Sequence, residues 1–149
     1  MKKIRKNIFE TNSSSTHSVV IKEGEFKNFP KNINSLNITT DDYGWEKHTY
    51  TDFTDKASYA LTYAINYGTK KDLKMLDKIL KEQLNIKDIK YDGLTLKQAL
   101  NYVEKDSEKF GYIDHQSVEE ASKIFKDENN LKSFLFSKDS YFKTDNDNM

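Results

Sequence analysis

Ala57, Ala60, Leu61, Ala64 and Ile65 recur at the spacing of one helical face, and Gly68 supplies a stop a few residues later. A second amphipathic helix follows, with Leu73, Leu76, Leu80 and Leu84 in one stripe, Met75 and Ile79 beside it, and Lys and Glu on the opposite face. Thr95 and Gln98 stand at capping-box spacing ahead of Leu96, Ala99, Leu100 and Val103, which form the buried face of a third helix. Ser117 and Glu120 repeat that spacing before Val118, Ala121 and Phe125, and Leu131, Phe134, Leu135 and Phe136 add another buried segment. Short apolar or β-branched runs predict strands at Ile4–Phe9, Ser18–Lys22, Ser35–Ile38, Ile86–Tyr91 and Ser140–Lys143, with a turn at Asp92 and Gly93. Together these elements predict an α+β fold, in which a small, mostly antiparallel sheet packs against three to five helices. No internal repeat or linker divides the chain. Residues 1–143 are expected to form one domain, with 144–149 as a disordered acidic tail.

Between the first two extended segments the apolar period vanishes. Asn12, Ser13, Ser14, Ser15, Thr16, His17 and Ser18 are seven consecutive hydroxyl, amide or imidazole side chains, and a loop is predicted. Such a loop can hold phosphate or carboxylate oxygens through hydroxyls and backbone amides without net positive charge. It can equally be a solvated turn stabilised by its own side-chain-to-backbone hydrogen bonds. The segment Tyr112–Ser117 is the second polar focus. A strand-like step ends in Asp114 and His115, and Ser117 opens the next helix, where free amides and a partial positive charge would meet a ligand.

Composition narrows the chemistry. The 149 residues carry 24 basic and 24 acidic side chains and no cysteine, which excludes disulfides, thiolate metal sites and cysteine nucleophiles. Zero formal net charge makes nucleic acid an unexpected primary partner. Lys2, Lys3, Arg5 and Lys6 crowd the start without an apolar stretch behind them, and no run approaches the ~18 apolar residues of a membrane span. A cytoplasmic protein without a membrane role is expected. Mean hydropathy is low, at −0.87, but nine Phe and nine Tyr supply bulk for a core.

If the protein were an enzyme, His17 and His115 would be its acid and base, with Asp114 as the orienting carboxylate. No G-x-S-x-G elbow supports a Ser–His–Asp nucleophile, and no H-x-H or H-E-x-x-H spacing supports a metal. No metal or cofactor is expected. The tail's Asp145 and Asp147 lack the glycine and closing Glu of a calcium loop. Gly44 permits close backbone approach, and Trp45, the single tryptophan, could stack on a base, cover a pocket, or anchor the core or an interface. His48 has no evident sequence partner and reads as a surface residue.

The run Phe9–Ser18 is similar to the opening signature of a set of small bacteriophage and mobile-element proteins. The resemblance continues in order through Tyr43–Trp45, Lys56–Tyr59, Tyr112–Ser117, Phe134–Phe136 and the tail from Thr144 to Asn148. Relatives of that pattern often carry glycine at the position of Asp145. The resemblance implies that the polar loop and the Asp114–Ser117 segment belong to one site, and that the protein serves counter-defence or host takeover. Three readings follow. In the first, a phosphate-bearing, nucleotide-like molecule is bound by Asn12, Ser13, Ser14, Ser15, Thr16, His17, Trp45, Asp114, His115 and Ser117. In the second, a host defence protein is blocked by direct contact, in the manner of an anti-CRISPR protein. The third is a small hydrolase or transferase using His17 and His115.

Overall fold

The computed structural model describes residues 16–27, 29–105 and 110–144; the expected strand Ile4–Phe9, the loop residues Asn12, Ser13, Ser14 and Ser15, and residues 145–149 lie outside them. The fold is α+β. Strands β1 (Ser18–Val20), β7 (Tyr141–Thr144) and β4 (His48–Tyr50) form an antiparallel sheet with β7 in the centre. Two further ladders are parallel: β2 (Ser35–Ile38) with β5 (Asp88–Tyr91), and β3 (Asp42–Tyr43) with β6 (Tyr112–Ile113). The helices are α1 (Phe53–Asn66), α2 (Lys70–Leu84), α3 (Leu96–Leu100), α4 (Val118–Ser122) and α5 (Glu128–Phe136).

Helix α1 is the axle of the molecule, with every residue from Lys56 to Ile65 buried. Ala57, Ala60 and Ala64 have no accessible surface, and their small side chains let neighbouring elements approach closely. The helix ends just before Gly68, the expected stop, although that glycine is not left-handed. Tyr67 and Gly68 both donate to the Tyr63 carbonyl, and Gly68 is needed for space, since a Cβ there would sit 3.1 Å from Ala64 backbone atoms.

Helix α2 begins with a capping box that the sequence reading missed, because Asp stands where Glu or Gln is usual: the Asp72 amide donates to Thr69 Oγ1 (3.2 Å) and the Thr69 amide to Asp72 Oδ2 (3.0 Å). It ends at Asn85, in the left-handed conformation that asparagine tolerates. The expected Thr95–Gln98 box is present, with both reciprocal bonds made. Asp92 and Gly93 both have positive φ, and Tyr91 and Leu94 exchange N–H···O bonds across them, so they form the two-residue turn that primed geometry favours.

The core is rich in aromatic rings. Phe142, fully buried on β7, lies 4.0 Å from the Tyr59 ring and 4.5 Å from Tyr50, both stacked, with Tyr43 edge-on at 5.5 Å. Thr144, expected in the tail, is instead the last residue of β7 and buried, and its hydroxyl donates to the Glu46 carbonyl.

One cation stands among these apolar residues. Lys56 falls on the inward stripe of α1, and its Nζ donates to the carbonyls of Ser137 (3.1 Å) and Ser140 (3.0 Å), closing the turn between α5 and β7. Burial pushes its pKa down to about 8, against an opposing pull from Asp52. Between that value and the ordinary 10.5 the unfolded chain holds a proton that the folded chain has released. Stability therefore rises with pH across this window, by about 2 kcal/mol by the time tyrosine ionisation intervenes. Denaturant titrations across the window should show that rise in the wild type and its absence in Lys56→Met. Parallel profiles for the two proteins would refute it.

Candidate functional site

Two distant parts of the chain meet at His17. Its backbone N–H donates to Ser117 Oγ at 2.7 Å, and Ser117 Oγ in turn donates to Asp114 Oδ2 at 3.0 Å. The imidazole bridges two further elements, with Nε2 2.6 Å from the Gly44 carbonyl and Nδ1 2.8 Å from the Tyr59 hydroxyl. A carbonyl can only accept, so Nε2 carries the proton and Nδ1 accepts from Tyr59. His17 is only 2 % exposed, and burial holds its pKa below 6.5, although the Gly44 bond and the Asp114 charge pull the other way. Tyr59 is held protonated by burial, with the nearby Glu120 and Asp114 charges reinforcing the effect. The pair is therefore neutral, and each member satisfies the other.

The turn that carries Asp114 is fixed by backbone geometry. Gly111 has φ of 73°, and a Cβ there would overlap the Asp41 backbone, so only glycine lets β6 close on β3. The Asp114 amide then donates to the Tyr43 carbonyl (2.8 Å), and the Ser117 amide to the Asp114 carbonyl (2.8 Å).

Ser117 and Glu120 do not form the expected capping box, since the Ser117 side chain makes no cap bond. They reach across to β1 instead. His17 and Val19 are two residues apart on an extended strand, so their N–H groups point the same way; Ser117 Oγ takes the first and Glu120 Oε2 the second, at 2.9 Å. Residues three apart on a helical turn share one face, so the capping-box spacing also suits two acceptors serving one strand.

Of the residues singled out in the sequence, His17, Asp114 and Ser117 come together and are buried, whereas Thr16 and His115 are exposed. His115 heads a short 3-10 turn and makes no hydrogen bond to His17, whose ring nitrogens are both engaged by other groups. Trp45 is 42 % exposed and so is not a core anchor. His48 is exposed, as expected, although its ring lies 4.3 Å from Tyr50. The sequence did not place Tyr59, Glu120 or Tyr112 among the site residues. For Tyr59 a signal existed: a tyrosine among small residues on the inward side of a helix has a hydroxyl that must find a buried partner.

Exposed aromatic side chains stand near the anchor. Trp45, Tyr112 and Tyr67 are the exposed large hydrophobic side chains among the described residues, and all three border the β3–β6 ladder. The Tyr112 hydroxyl lies over Gly44, 2.9 Å from where a Cβ would stand. Tyr67 holds the outer side of β6, its hydroxyl bonded to both the N–H (3.0 Å) and the carbonyl (3.2 Å) of Ile113.

Fold and site together define an α+β protein in which a closed, histidine-centred polar anchor supports an exposed aromatic face. No protein-family model, curated protein or solved structure matches the chain. No helix among the described residues is long and apolar enough to cross a membrane, and no group of three or more His, Cys, Asp or Glu side chains among them could hold a metal ion.

Proposed function

We propose that the protein acts by binding, through direct contact with another protein. The carrying observation is that Trp45, Tyr112 and Tyr67 are exposed at or beside the short β3–β6 ladder, next to the Gly44 carbonyl that the His17 ring holds. Rigid aromatic side chains give large contact area at small entropic cost, and they dominate the energetics of many interfaces. The His17 ring is only 2 % exposed and both of its nitrogens are bonded to protein groups, so it does not face a substrate. This weighs against His17 as an acid or base. The resemblance to small bacteriophage proteins supports a partner in the host, and with it a counter-defence or host-takeover role.

A phosphate-bearing small molecule is the second reading. Its support is the exit of the hydroxyl-rich run at Thr16, fixed beside Asp114–Ser117 by the His17 amide bond. The Asp114 carboxylate at that point opposes an anion, which is why contact with a protein ranks first.

The double variant Trp45→Ala/Tyr112→Ala changes two side chains that are 42 % and 46 % exposed, and it should remain folded with a melting temperature only a few degrees lower, on the order of 2–4 °C per kcal/mol of lost packing. It should fail to retain a bacterial protein that the wild type retains from lysate. Undiminished retention of that protein by the variant would overturn the contact reading. Thermal stabilisation of both proteins by a nucleotide panel would favour the second reading instead.

A further inference from the structure

The aromatic face is rimmed by carboxylates. Asp42 stands directly across the ladder from Tyr112, on the same outward side, because Tyr43 and Ile113 take the inward one. Asp41 and Glu46 bracket the same strand and loop, and both are exposed, with Lys47 the nearest basic residue in sequence. The acidic surroundings continue beneath β4. Burial raises the Tyr50 pKa, a Thr144 hydrogen bond opposes that, and the charges of Asp55, Asp41 and Glu46 push it further up. Asp55 is itself raised, by burial first and then by Asp52, with His48 opposing and Asp41 adding to the rise. Like charges so placed repel one another, and a cation brought among them relieves the repulsion.

Resting on the contact reading above, we infer that the face formed by Trp45, Tyr112, Asp42 and Glu46 takes a basic, arginine-bearing segment of the partner protein. Arginine fits both halves of this surface. Its guanidinium plane stacks on Trp and Tyr rings while its N–H groups donate to carboxylates beside them. An anionic partner, including nucleic acid, would meet Asp41, Asp42 and Glu46 before it reached the rings.

Trp45 is the chain's single tryptophan, so its emission reports on this face alone. The probe is a capped hexa-arginine peptide at low salt, with hexa-glutamate as the opposite-charge control. Hexa-arginine should change Trp45 emission saturably and hexa-glutamate should not. Affinity should fall about tenfold in Asp42→Asn/Glu46→Gln, since two exposed ion pairs are lost, and it should weaken with added salt. Glu82→Gln/Asp88→Asn, which removes two exposed carboxylates on α2 and β5, should bind like the wild type. No saturable response to hexa-arginine, or an equal response in the Asp42/Glu46 variant, would overturn the inference. The two levels separate cleanly. If Trp45→Ala/Tyr112→Ala loses the lysate partner while hexa-arginine gives no signal, the contact reading stands and the basic chemistry falls. If that variant keeps the partner, the contact reading itself falls.

Discussion

Replacing His17 with alanine is expected to destabilise the protein by about 3 kcal/mol, lowering the melting temperature by roughly 10 °C. The change removes a buried ring and leaves two polar groups, the Gly44 carbonyl and the Tyr59 hydroxyl, without the partners they have at 2.6 and 2.8 Å. Glutamine can place an amide N–H near the position of Nε2, so His17→Gln should recover part of the loss. Chemical denaturation of the three proteins measures the series, and a loss below ~1 kcal/mol in the alanine variant would show that the ring is not an anchor. The pH dependence gives an independent reading. Burial keeps the folded-state pKa of His17 below 6.5, so under mildly acidic conditions the unfolded chain binds a proton that the folded chain refuses. Stability contributed by the neutral ring is present above pH 6.5 and is lost as pH falls through that value toward the folded-state pKa. The gap between wild type and His17→Gln should therefore narrow on acidification, since glutamine does not titrate. A freely solvated histidine would produce no such narrowing.

The second large effect is expected at Phe142, where alanine should cost about 4 kcal/mol, a sizeable share of the 5–15 kcal/mol that holds a typical domain together. The ring is fully buried on the central strand, stacked on Tyr59 and Tyr50 and flanked by Tyr43 and by Phe134 at 6.1 Å. Its loss would also loosen Tyr59, whose hydroxyl holds His17. Phe142→Ala and Tyr59→Phe should therefore be non-additive in a double-mutant cycle, because the second change removes a hydrogen bond that the first has already weakened. Strict additivity would mean that the aromatic nest and the polar anchor are independent. Phe142→Leu should retain more than half of the stability lost in the alanine variant, since it refills most of the volume.

What the sequence disclosed follows the strength of its periodic signals. Helices α1 and α2 were legible because their apolar stripes run for several turns, and Ser35–Ile38 because polar and apolar residues alternate in a short run. Strands β3 and β4 were not, since a two-residue and a three-residue ladder leave no period to detect. The parallel pairings were equally hidden: joining Ser35–Ile38 to Asp88–Tyr91 spans both long helices, and no local pattern encodes such a crossover. Within the site, the meeting of His17 with Ser117 was expected only from the resemblance, because no local pattern joins two polar clusters a hundred residues apart. The roles were not, because Ser117 and Glu120 carry a spacing that two different structures can use. Local statistics favour the cap, and the tertiary fold chose the neighbouring strand.

That choice has a consequence for how the molecule behaves in company. An uncovered strand at the margin of a sheet is a template on which another chain can add, the first step toward swapped dimers or fibrils. Along β1 and the residue before it, the N–H groups of His17 and Val19 are already taken by a hydroxyl and a carboxylate from the same chain. A second chain adding at that margin would first have to displace both of these bonds.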